Sequence, residues 1–259
     1  MILAPIVVAA LLLDHYGPVY VLLCLASIIC LIEFFRITSP ALPLSARTLL
    51  YLLSTALFWL LYLGEIHLLP LVVISWFCLP IMYFVLFDPR PAPKKVEALA
   101  MGILGPVYIC MPLGMLGMIV RYPGGNIWIL FLLVVVFSGD TGAFYLGRWL
   151  GKRRLHPTIS PGKTWEGAAG SVIFSLIAGS WFVHLMGLER IRPLVFLLII
   201  LLSIIAQLGD LSESFIKRSY QVKDSGGLLP GHGGLLDRID GVLFAAPLLY
   251  LYLIIKTAG

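Results

Sequence analysis

"LVFLLIILLSIIAQLGDLSESFIKRSYQVKDSGGLLPGHGGLLDRID", residues 194–240, passes from a long apolar run into a polar, glycine-rich stretch and stops where another apolar run begins. Its first half decides the fold class. A helix needs roughly 20 apolar residues to cross a hydrocarbon core about 30 Å thick, and only helices or closed barrels satisfy their backbone groups in lipid. The continuity of the run favours a helix over the alternating strands of a barrel. Working outward from 194–216, comparable runs fall near 2–13, 18–35, 48–63, 68–87, 97–120, 126–147, 166–187 and 240–256. Across all 259 residues 60% are apolar and 12% charged, and the mean hydropathy is +1.01, far from a soluble domain of this length. The expected fold is all-α, a polytopic transmembrane helical bundle of about nine spans, or eight if the short segment 2–13 does not cross.

Loop charge tests that count, because cytoplasmic loops collect Lys and Arg. With the N-terminus inside, Arg36, Arg47, Arg90, Lys94, Lys95, Arg148, Lys152, Arg153, Arg154, Lys163, Lys217, Arg218, Lys223 and Arg238 lie on the inner side. Arg121, Arg190, Arg192 and Lys256 lie on the outer side, a bias of 14 to 4 among the 18 basic residues. The expected topology has an odd number of spans and the C-terminus outside. The net charge of +5 is then a topology signal with some attraction to anionic lipid, and no nucleic-acid partner is implied. Cys24, Cys30, Cys78 and Cys110 all fall in apolar runs with no C-x-x-C pair, so packing is their expected role.

The two longest polar stretches, 148–165 and 217–240, emerge on the same side in this topology. Asp140 and Asp210 each lie seven residues before their expected helix ends, about 10 Å inside them. Carboxylates at such depth are costly unless paired, hydrated or bound to metal, which makes them candidates for a site recessed into the membrane. Asp237 and Asp240 share one helical turn if the last helix begins near Leu235, and Asp210, Glu213 and Ser214 share a face of the preceding one. From 207 to 240 five acids stand among four basic residues, Lys217, Arg218, Lys223 and Arg238. That balance suits carboxylates on a hard cation and cations on phosphate: magnesium takes one or two carboxylates and completes its octahedron with water and substrate phosphate. A solvated loop with helix-capping aspartates is the plainer alternative.

Gly226, Gly227, Gly231, Gly233 and Gly234 would let backbone N–H groups approach an anion, with Pro230 fixing a bend. His232 has no His or Cys cluster around it and does not read as a zinc ligand; contact with phosphate, proton transfer and loop ordering stay open. The "GKT" at 162–164 resembles the end of a P-loop, but Pro157 stands where that motif needs glycine and Pro161 removes a donor from the would-be cradle. Ser160, Lys163 and Thr164 remain candidates to bind phosphate through their side chains.

From Ser214 to Asp240, "SFIKRSYQVKDSGGLLPGHGGLLDRID" resembles the signature of phosphatidate cytidylyltransferases, also called CDP-diacylglycerol synthases: S-x-x-K-R, then K-D, P-x-H-G-G and D-R-x-D. "GDTGAFYLGR" (139–148) and "ISPGKTWEG" (159–167) are similar to further segments of that family. The resemblance implies an integral inner-membrane enzyme that joins CTP to phosphatidate and releases pyrophosphate; the loop charges put its N-terminus and active site on the cytoplasmic side. It implies a divalent cation, usually magnesium, with Asp210 and Asp237 the leading ligands, and suggests a second, monovalent ion such as potassium and a homodimer. The catalytic set is then Asp210, Lys217, Asp237 and Asp240, with Asp240 and Asp140 joining Asp210 and Asp237 as metal ligands. Lys217, Arg218, Lys223 and Arg238 would take the CTP phosphates and the departing pyrophosphate, and Ser160 and Lys163 the lipid phosphate. Ser214, His232, Gly233 and Gly234 complete the substrate-binding candidates. Residues 1–120 would supply N-terminal transmembrane helices and 121–259 the transmembrane catalytic region of one integrated membrane domain. Two other functions carry the same charges: a CTP-dependent polyprenol or lipid kinase, and an ion or phosphate transporter.

Overall fold

The computed structural model describes residues 3–13, 15–90, 92–188, 193–227 and 233–258. Among them the apolar runs are helices: α1 (Leu3–Leu12), α2 (Gly17–Thr38), α3 (Leu44–Leu63), α4 (Leu69–Phe87), α5 (Pro93–Val120), α6 (Gly125–Leu150), α7 (Trp165–Met186), α8 (Pro193–Ser219) and α9 (Leu236–Ala258). Eight of these, α2 to α9, are long and apolar enough to cross a membrane. The chain is a polytopic helical membrane protein. α1 has 10 residues, about 15 Å of helix against a core of about 30 Å, so the eight-span alternative is the one its length supports. Large apolar side chains on the outside, such as Trp59 at 60% and Trp181 at 70% exposure, suit a lipid-facing surface. In lipid that surface needs no cover.

Two compact units divide the chain, each with its own packing: Met1–Met118 with Tyr220–Arg238, and Ile119–Ser219 with Ile239–Gly259. In the first, α5 carries glycines where rings of α2 press against it. A Cβ at Gly105 would stand 2.7 Å from the Phe35 ring, and one at Gly117 would stand 3.0 Å from the Tyr20 ring. Tyr20 in turn donates its hydroxyl to the Gly117 carbonyl at 2.6 Å. Phe34, Phe35, Leu31, Leu50, Leu57 and Ile109 are fully buried in this unit.

The second unit is built on small residues. Lipid offers apolar helices no hydrophobic reason to associate, so close backbone approach and interhelical hydrogen bonds must hold them. On α6 and α7, a Cβ at Gly142 would meet the Gly170 carbonyl at 2.6 Å, and one at Gly170 would meet that of Gly142 at 2.8 Å. Ser175 donates to the Val135 carbonyl at 2.8 Å, and the Ser171 and Ser203 hydroxyls join α7 to α8 at 3.2 Å. Between α6 and α7 the polar stretch 148–165 forms a hairpin of β1 (Arg154–His156) and β2 (Ser160–Thr164), antiparallel. Thr164 caps α7, its hydroxyl accepting from the Gly167 N–H at 3.1 Å. Glu166 in the first turn accepts from the N–H groups of Lys152 at 3.1 Å and Arg153 at 3.3 Å. Both ends of the hairpin are therefore tied to helix termini, which fixes where β2 presents Lys163.

Candidate active site

Three acids of the second unit come from three helices: Asp140 on α6, Asp210 on α8 and Asp240 on α9. Asp240 is close enough to feel the charges of both Asp210 and Asp140, and that of Lys217. The backbone explains how they meet. Each of the three has a glycine beside it in sequence: Gly139 before Asp140, Gly209 before Asp210 and Gly241 after Asp240. A Cβ at Gly209 would stand 2.6 Å from the Asp240 carbonyl oxygen, and one at Gly139 would stand 2.7 Å from the Ser171 and Ser175 hydroxyls. A Cβ at Gly241 would stand 3.3 Å from the Ala206 carbonyl oxygen of α8. Glycines bring the backbones together there, and the acids beside them follow.

Lysine answers the acids. Lys163 of β2 places its ammonium 2.6 Å from Asp210 Oδ2, while Ser214, one turn further along α8, reaches Asp210 Oδ1 at a long 3.5 Å. Asp240 Oδ1 accepts from the Gly241 N–H at 2.7 Å. Lys217 pairs with Glu213 at 2.6 Å, and both are buried in the second unit, at 9% and 2% exposure. Such a pair holds its geometry because separating it would leave a buried charge uncompensated. Arg218 is exposed and its Nε reaches the Ile159 carbonyl at 3.4 Å, joining the end of α8 to the hairpin. Lys163, expected on a lipid phosphate, thus pairs with a candidate metal ligand. Ser160 sits half-buried at the start of β2. Since α6 runs to Leu150 and α8 to Ser219, Asp140 and Asp210 lie about 15 Å and about 14 Å from their helix ends, further than the expected 10 Å. The helices outrun their apolar runs because backbone hydrogen bonding continues into polar sequence.

The candidates of the first unit are arranged differently. Asp237, in the first turn of α9, accepts from the Ser225 N–H at 2.9 Å and the Gly234 N–H at 2.8 Å, both on Oδ2. Gly233 has φ +78°, a left-handed conformation, and a Cβ there would stand 2.7 Å from the same oxygen. The anion that these loop N–H groups approach is the chain's own carboxylate. Lys223 and Arg238 are exposed. His232, with Gly231 and Pro230, lies outside the described residues.

One residue the sequence reading passed over stands out in this unit. Glu33, near the C-terminal end of the apolar helix α2, is buried at 6% exposure and accepts from the N–H groups of Leu235 at 3.0 Å and Leu236 at 2.9 Å. The signal was present as a lone acid in the run 18–35, the kind of intramembrane charge that is costly to keep without a purpose.

Among the described residues no group of three or more His, Cys, Asp or Glu is close enough to form an all-protein metal cage. The donors nevertheless fit magnesium, which asks for one or two carboxylates and leaves the rest of its shell to water and phosphate. Asp210 and Asp240, hard oxygen donors repelling one another in a partly buried setting, are the pair that a cation would relieve. The chemistry these residues offer is anion neutralisation and positioning.

The family model described as "Cytidylyltransferase family" matches residues 1–256. Among curated proteins, the chain is similar to a phosphatidate cytidylyltransferase of Bacillus subtilis (strain 168), 49% identical over 131 residues, covering 50% of this chain and 48% of that protein. It is similar to one of Brucella suis biovar 1, 48% identical over 141 residues with 50% and 48% covered. A protein of the same name from Staphylococcus saprophyticus is 48% identical over 127 residues, with 49% of each covered. The chain spans about half the length of the curated relatives it matches.

Proposed function

The chain belongs to the cytidylyltransferase family, and from that premise we propose that it transfers CMP from CTP to phosphatidate, forming CDP-diacylglycerol and pyrophosphate. A phosphate oxygen of phosphatidate attacks the α-phosphorus of CTP; that P–O bond forms as the bond to the bridging oxygen of the β-phosphate breaks, and pyrophosphate carries away the electron pair. The nucleophile comes with the substrate, so the protein's work is to hold two anions in line and offset their charge. The observation that supports this most is the convergence of Asp140, Asp210 and Asp240 with Lys163 and Lys217 around them.

In this reading Asp210 and Asp240, with Asp140 beside them, would hold magnesium, which would supply positive charge to offset that of the substrate phosphates. Asp237, three residues before Asp240 on α9, is carried over as a ligand from the signature. Lys163 exchanges Asp210 for the lipid phosphate when substrate and cation arrive, and Ser160 supports it. Lys217 stays fixed by Glu213 and presents its charge to the nucleotide phosphates with Arg218, Lys223 and Arg238. Ser214, Gly233, Gly234 and His232 complete the substrate contacts. A monovalent cation such as potassium and a homodimer belong to the same proposal. So do a bacterial inner membrane, supported by the bacterial relatives, and a cytoplasmic face for the basic loops, supported by their charge. With eight crossings, both chain ends would lie opposite those loops; cysteine labelling of α1 in intact cells decides its side.

The test uses the full chain purified in mild detergent with phosphatidate, labelled CTP and magnesium, following lipid-extractable cytidine and pyrophosphate together, beside Asp210→Asn. Coupled appearance of both, lost in the variant and on chelation, is the expected result. Phosphorylation of a polyprenol with no cytidine in lipid would make the protein a kinase. Flux in sealed vesicles without any CTP requirement would make it a transporter.

A further inference from the structure

We infer that Glu33 is a positioning residue for the proposed reaction, a buried carboxylate on α2 that clamps both flanks of the signature loop and sets the start of the helix carrying Asp237. The inference rests on the cytidylyltransferase reading for its catalytic consequence and on geometry for the clamp. The N–H groups at a helix start have no intrahelical acceptor and must find one elsewhere. Here Leu235 donates to Glu33 Oε1 at 3.0 Å and Leu236 to Oε2 at 2.9 Å. From the other flank, Ser225 donates its hydroxyl to Oε2 at 3.3 Å, while its N–H donates to Asp237. Ser225 therefore links the two carboxylates directly.

Three donors converge on one side chain, and only an ionised carboxylate accepts all of them without presenting a donor of its own. Its negative charge also suits the positive end of the α9 dipole. The glycines of the signature fit against it. A Cβ at Gly226 would stand 2.7 Å from Glu33 Oε1, and one at Gly234 would stand 2.6 Å from Oε2. Two glycines expected to cradle a ligand thus make room for this acid.

Hydrogen exchange on the full unmutated chain in detergent comes first, read at the amides of Leu235 and Leu236, together with the cytidine-transfer assay. Slow exchange at both is expected, although helix-start amides ordinarily lack protection; fast exchange overturns the clamp. Glu33→Gln keeps the length but turns an NH2 toward the donors. It is expected to expose both amides while the rest of α9 stays protected, and to lower kcat by about tenfold or more with the CTP KM changed less than about twofold. Unchanged exchange and kcat in this variant overturn the inference. Gly226→Ala presses on Oε1, Cδ and Cγ of Glu33 and is expected to loosen the clamp, speeding exchange most at the Leu235 amide bonded to Oε1, with a smaller kcat loss than Glu33→Gln. It supplies the decision if Glu33→Gln does not fold, and wild-type exchange and kcat in it would overturn the clamp. No cytidine transfer by the unmutated chain overturns the function reading and the catalytic part of the inference, and the exchange result still decides the clamp.

Discussion

The acids of the two units are held in different ways. Glu33 and Asp237 accept from backbone N–H groups of the loop and helix start around them, whereas Asp210 pairs with the Lys163 ammonium and Asp240, besides one backbone N–H, feels the charges of Asp210, Asp140 and Lys217. A carboxylate held by backbone donors shapes the chain. One held by a mobile ammonium can release it for a cation. The difference separates the charges that build the loop from those able to exchange partners, which residue type alone cannot do.

The largest expected effect is that of Asp240→Asn. Removing one charge from the cluster should lower cytidylyl transfer by about 10²–10³-fold with unchanged extraction and melting temperature. Activity within tenfold of wild type would collapse the contrast between the units. Gly209→Val comes next, because its side chain would push against the Asp240 carbonyl; about 1–3 kcal/mol of destabilisation is expected, with activity falling further than stability. A thermal melt beside the transfer assay separates the two. Lys163→Met should raise the phosphatidate KM about tenfold, the loss of one charge-assisted hydrogen bond, and leave that of CTP nearly unchanged. A shift in the CTP KM instead would assign Lys163 to the nucleotide.

Smaller effects sharpen the packing side. Ser203→Ala removes the hydroxyl contact to Ser171 and should cost about 0.6 kcal/mol, near the average for such bonds between membrane helices. The smallest effect on activity is expected from Asp88→Asn, outside the membrane span. A hydrogen bond from Lys95, at 2.6 Å, holds the Asp88 carboxyl below the usual carboxylate range. Its contribution is therefore present above the ordinary aspartate pKa and lost as pH falls through the lowered one. Melting temperatures of variant and wild type should converge in acid, and a difference that persists there would refute the pairing.

Much of this was legible in residues. The runs that became α2 to α9 announced themselves by length, and Asp210 and Asp240 by charge in apolar surroundings. Asp237 was legible as a candidate, yet the donors it accepts from were not, because Ser225 stands twelve positions away. Glu33 was missed for a stronger reason: its partners at 235 and 236 lie about two hundred residues on. Lys163 read as a phosphate ligand because it sits in a family-like segment, while its pairing with Asp210 depends on how the hairpin is tied to α6 and α7.

By itself the sequence determined the solvent this protein lives in, the runs that cross it apart from the short first one, and the acids and bases from which a phosphate-handling site can be made. Those follow from local quantities, namely apolar length, charge and the few donors a short segment can satisfy within itself. Tertiary structure alone decided which acids face one another and which are spent on backbone N–H groups. Close approach at Gly139, Gly209 and Gly241 sets the first, and loop closure onto Glu33 sets the second. Both depend on contacts between distant segments, where a single Cβ is enough to keep the partners apart.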